Sequence, residues 1–89
     1  DAGIFLALSP NPNDGSRLFL QRSNIADGVA QVSVDFSDAM GKRVAASVIP
    51  VSEGTVNTVL ELDKAMPAGL YFVTITSGNE IRTERLVIQ

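Results

Sequence analysis

The residues from Val29 to Ser37 read VAQVSVDFS, and their alternation constrains the fold more than any other feature of the chain. Ala30, Val32, Val34 and Phe36 fall on one side of an extended backbone, and Gln31, Ser33, Asp35 and Ser37 on the other. A period of two marks a strand with one buried and one wet face. A helix would scatter the same apolar residues around its axis. The pattern returns at intervals of roughly ten residues, each time bounded by residues that turn a chain.

Ile4 to Leu8 forms a short apolar strand expected to stop at Ser9-Pro10, because proline has no N–H to give a ladder. Asp14-Gly15 is a turn signal, and Arg17 to Gln21 follows as a second strand. Asp38-Ala39-Met40-Gly41 reads as a tight turn, since Asp bonds neighbouring backbone and Gly accepts positive φ. Lys42 to Val51 continues as a strand bent near Pro50. Ser52-Glu53-Gly54 turns the chain into Thr55 to Leu62, where Val56, Leu60 and Leu62 share a face. Asp63 to Met66 suits a brief helical turn before Pro67. Gly69 to Thr76 is rich in aromatic and β-branched residues, and Ser77-Gly78-Asn79 leads to a last strand, Glu80 to Gln89. About seven strands with no helix of useful length predict an antiparallel β-sandwich of immunoglobulin-like type. Residues 1–89 are expected to form one domain, with residues 1–3 as linker.

Composition then removes whole classes of function. With neither Cys nor His, the chain has no disulfide, thiol nucleophile, thiolate or imidazole metal site, or His-based triad. The net charge of −3 and the dispersed Lys and Arg argue against nucleic acid and against electrostatic docking on an anionic membrane. The longest apolar run, Ile4 to Leu8, is too short to span a bilayer, so no membrane insertion is expected. No basic hydrophobic leader is present, so an export leader is expected only on a larger parent.

Few residues invite chemistry. Asn11, Asn13 and Asp14 beside Gly15 offer oxygen ligands, but their spacing does not match an EF-hand loop, and turn-forming accounts for them. The carboxylate pairs Asp35/Asp38 and Glu80/Glu84 read as strand faces and turns rather than acid–base partners. No cofactor is expected. In LDKAMPAGLYFV, Leu62 to Val73, a Leu, a loop, Pro67-Ala68-Gly69 and Tyr71 entering a strand match the tyrosine corner of Greek-key sandwiches. Tyr71, Val73 and Ile75 are then core, which leaves Leu70 and Phe72 on the opposite face. Phe19, between Leu18 and Leu20, poses the same question. If such residues cluster, they mark a contact surface.

The order of these pieces resembles a known family. Pro10-Asn11-Pro12 leads to Gly15, a central strand runs into Asp38-Ala39-Met40-Gly41-Lys42, and Leu62 precedes MPAGLYFVTI, Met66 to Ile75. The chain closes on RLVIQ, Arg85 to Gln89. From about Leu8 to Gln89 it resembles the type A C-terminal sorting domain of the type IX (Por) secretion system of Bacteroidetes. Ala7-Leu8-Ser9 stands where family members often carry Tyr or Phe before the first Pro-Asn-Pro.

That resemblance implies an immunoglobulin-like tail, without catalysis, on a secreted protein that reaches the periplasm by a signal peptide. The tail directs transport across the outer membrane to the cell surface or the medium. In many members a surface sortase then removes it and joins the cargo to lipopolysaccharide. Carried over by position, the recognition residues are Pro10, Asn11, Pro12 and Gly15, then Asp38, Gly41 and Lys42, then Pro67, Gly69 and Tyr71, then Leu86, Val87, Ile88 and Gln89. The implied partners are the translocon, the sortase and the parent's cargo domain. An accessible terminal strand would add to a receptor sheet, and the same edge would permit dimers. The alternative reading is a fibronectin-III-like adhesion or carbohydrate-binding accessory module, although a chain with no Trp and one Tyr has few residues for a sugar platform.

Overall fold

A computed structural model of the chain describes residues 5–9, 13, 16–62 and 66–89. They form seven strands: β1 (Phe5–Ser9), β2 (Arg17–Ser23), β3 (Gln31–Asp38), β4 (Arg43–Pro50), β5 (Val56–Glu61), β6 (Gly69–Ser77) and β7 (Glu80–Ile88). A three-stranded sheet in the order β1-β2-β5 faces a four-stranded sheet in the order β4-β3-β6-β7, and every pairing is antiparallel. This is the expected β-sandwich. The helical turn expected over Asp63 to Met66 falls largely outside the described residues; Met66 itself is buried.

Alternation places the core between the sheets. Leu18, Leu20 and Val56 point in from one sheet, and Val32, Val34, Phe36, Tyr71, Val73, Ile75, Leu86 and Ile88 from the other. Burying an aliphatic side chain fully is worth about 1.5–3 kcal/mol, so this inner layer is the main source of stability in a chain with no disulfide. Several expected strands need correction at their ends. The central strand starts at Gln31, and Ala30, expected on its inner face, is exposed outside it. β4 stops at Pro50, although the Val51 N–H still donates to the Ala30 carbonyl at 2.9 Å. β2 runs two residues past Gln21, through a buried Arg22.

The strand ends define two poles. At one pole lie the β3–β4 turn, the start of β6 and the end of β7, where Gly69 pairs with Ile88 and Asp38 with Tyr71. At the other lie the β2–β3 connection, the β4–β5 turn and the β6–β7 turn, tied by the Ile25 N–H donating to the Gly54 carbonyl at 3.0 Å. β1 enters from this second pole, where Phe5 pairs with Ser23.

Candidate functional site

The residues expected to carry recognition come from four separate stretches, and the described ones converge on the first pole. Pro10, Asn11, Pro12 and Gly15 lie outside the described residues. Asn13, between them, is buried and ties the sheets together. Its N–H donates to the Val87 carbonyl at 2.7 Å, and the Gln89 N–H donates to its carbonyl at 2.8 Å. Its side-chain amide donates to the Arg17 carbonyl at 2.7 Å. The end of the terminal strand is therefore bonded on both sides, to β6 and to Asn13.

The Asp38 turn explains the spacing of Asp, Gly and Lys. One carboxylate oxygen of Asp38 accepts the N–H groups of Met40 and Lys42, each at 3.0 Å. Gly41 N–H donates to the Asp38 carbonyl at 3.0 Å, with Gly41 at φ 87°. A Cβ there would meet nothing within 4 Å, so glycine is required by backbone conformation rather than by space. Lys42 leaves the turn exposed. A register shift between Phe36 and Ser37 leaves Val44 as an extra residue, so Arg43 pairs with Ser37 and reaches Asp35 at 3.1 Å on the outer face.

The tyrosine corner is present. Tyr71 is buried and its hydroxyl donates to the Pro67 carbonyl at 2.6 Å, which fixes the loop that delivers β6. Pro67 and Gly69 are exposed. In the terminal strand the roles alternate: Leu86 and Ile88 are core, while Val87 and Gln89 face outward. The receptor-pairing edge expected for this strand is thus already closed at its last residues by Asn13.

The outward apolar residues do cluster. Leu70 and Val87 are direct cross-strand neighbours, and the adjoining pair is Phe72 with Arg85. Arg43 and Ser37 flank Phe72 on the other side. The result is an exposed apolar ridge on the four-stranded sheet, with Arg43, Arg85 and Lys42 around it at the first pole. Phe19 makes a separate pair with Val59 on the outer face of the other sheet.

The candidate carboxylate pairs are divided among structural tasks. Asp35 holds Arg43, Asp38 holds its own turn, and Glu80 meets Arg22 at 3.5 Å, with Glu84 exposed. The one tyrosine is buried, so it offers no stacking face to a sugar. Sequence reasoning missed Asn13 as a brace and Arg22 as a buried cation. Asn13 gave no signal beyond turn-forming, whereas Arg22 continues the Leu18, Leu20 alternation.

A comparison with protein families matches residues 7–89 to a family described as secretion system C-terminal sorting domain. None of the curated proteins matches the chain.

Proposed function

The chain belongs to the family of secretion-system C-terminal sorting domains, and on that premise we propose that its first pole is the address by which the type IX machinery recognises a parent protein for export. The observation that carries this reading is the convergence. The Asp38–Lys42 turn, the Pro67–Gly69 corner and the last strand, far apart in sequence, meet at one end of the sandwich, beside the apolar ridge of Leu70, Phe72 and Val87.

The domain performs this role by shape, without catalysis. Buried members of the motif, Tyr71, Leu86 and Ile88, hold the pole in place, and the exposed ones, Lys42, Pro67, Gly69, Val87 and Gln89, meet the receptor. Cargo preceding β1 is tethered at the second pole, clear of the reading end. Transit passes through the periplasm to the cell surface. Where a sortase removes the tail and joins the cargo to lipopolysaccharide, the cut falls upstream of Phe5, because Phe5 to Ser9 are laddered to β2.

The test is a fusion of residues 1–89 to the C-terminus of an inert reporter, directed to the periplasm of a host that has the system. The reporter is expected at the cell surface or in the medium, and the mass of the released protein reports whether the tail stays attached. Reporter retained in the periplasm would refute the reading.

A further inference from the structure

Independently of export, the open edge of β5 has the features of a strand-accepting slot. The Leu62 N–H donates to the Ser16 carbonyl at 2.8 Å, so the even-numbered residues of β5 turn their backbone groups toward β2. Thr55 exchanges both of its bonds with Ser52 at 3.0 Å, which turns the odd-numbered residues the other way. Asn57, Val59 and Glu61 therefore aim N–H and C=O outward, on a side where the sheet order ends.

The chain itself starts a ladder on that edge and abandons it. Glu53 at φ 53° and Gly54 at φ 74° form a two-residue turn with both central residues left-handed, the geometry of a tight hairpin. That hairpin is a single pair, Ser52 with Thr55. The preceding residue, Val51, instead gives its N–H to the Ala30 carbonyl at 2.9 Å, beside β3.

Among the described residues, no strand beyond β5 extends that sheet over β4. The inward Ala45 and Ser47 of β4 remain only half-buried, whereas Val32, Val34 and Phe36 of β3 and Tyr71, Val73, Ile75 and Ser77 of β6 are buried. A groove of about 280 Å³ opens at the turn end, lined by Ile49, Pro50, Ser52, Thr55, Asn57 and Thr58. Beside this edge, the exposed apolar residues Val59 at 52% and Phe19 at 40% pair on the outer face of the three-stranded sheet. Such clustering on a small domain marks an interaction surface.

We infer that this slot accepts an extended strand donated by another protein, which completes the three-stranded sheet beside β5 and roofs Ala45 and Ser47. Outward amides and carbonyls at strand spacing match an extended backbone better than any sugar or lipid. The small floor residues call for medium-sized apolar side chains facing inward. Exposed Glu53 marks the turn end and calls for a basic residue there, while Glu61 at the other end already lies 3.9 Å from Arg17. A second copy paired edge to edge would bring its own β4 against this one, so the donor is a strand without such a layer. The β4 edge is a poorer acceptor because Pro50 on it has no N–H.

The probe is the peptide acetyl-Lys-Thr-Val-Thr-Val-Thr-Lys-amide, titrated into the isotope-labelled domain and followed by NMR. Saturable shifts are expected at Asn57, Val59, Glu61, Ala45 and Ser47, with amide exchange at the three β5 positions slowed about tenfold. The same peptide N-methylated on the amides that would face β5 is expected to leave them unchanged. Val59→Pro, placed where an edge strand tolerates proline, is expected to abolish binding with the fold intact. Should that variant not fold, the methylated peptide decides alone. Shifts centred on β1 or β7, equal binding of the methylated peptide, no slowing at millimolar peptide, or dimers paired through β5 would each overturn the inference.

Discussion

Arg22 occupies a position that alternation assigns to the core. It follows Leu18 and Leu20 on the inner face of β2, its side chain is about 1% exposed, and its one ionic partner among the described residues is Glu80 in the opposite sheet at 3.5 Å. That distance is at the long end of a hydrogen bond, and its Nε and Nη1 find no acceptor among the described residues. Desolvating a cation costs more than one long contact returns, so apolar replacement of such a residue is often neutral or stabilising. Arg22→Met is therefore expected to unfold at the same or higher urea concentration than the natural domain. Glu80→Gln, which leaves the cation buried, is expected to lose about 1–3 kcal/mol. A less stable Arg22→Met would show that Arg22 contributes more than it costs. The same residue shows a limit of sequence reading. A charged side chain after Gln21 reads as a strand end, because burial of an arginine depends on a partner 58 residues away. Tyr71 was legible for the opposite reason, since its hydroxyl partner Pro67 is four residues away.

At the scale of single elements, β7 carries two roles in alternate residues. Leu86 and Ile88 are core, and truncating a buried aliphatic costs about 2–5 kcal/mol against a total stability of about 5–15 kcal/mol. Removing Leu86 to Gln89 also strips the two bonds to Asn13. The truncated domain is expected to lose its cooperative unfolding transition, whereas Val87→Thr on the outer face is expected to stay within about 1 kcal/mol of the natural domain. Calorimetry or urea denaturation distinguishes them, and a cooperative transition in the truncated domain would contradict this assignment. Loss of export on such a deletion would thus report unfolding as much as a missing signal. The strands themselves were readable from alternation and turn residues. The bulge at Val44 was not, because Val44-Ala45-Ala46 reads as uninterrupted strand and only the register with β3 reveals the extra residue.

The whole molecule measures 36 × 22 × 21 Å, the long dimension matching nine-residue strands and their turns. The proposed function depends on this polarity. The order of the motifs along the chain was enough to recognise the family, but their meeting at one end was not visible. That meeting follows from three hairpins and the crossovers between the sheets, which no local pattern encodes. On the proposed reading, one pole is read while the other holds the cargo. Two sets of outward substitutions on a reporter fusion test this most directly. Lys42→Glu, Leu70→Thr and Val87→Thr alter the first pole, and Asp27→Ser, Asn79→Ser and Ile81→Thr the second. With both variants confirmed folded, reporter export is measured against the natural domain. The first set is expected to lower export about tenfold or more, the effect of removing roughly 1.4 kcal/mol of recognition, and the second to leave it unchanged. Equal export from both sets, or a greater loss from the second, would contradict the assignment of the first pole as the address.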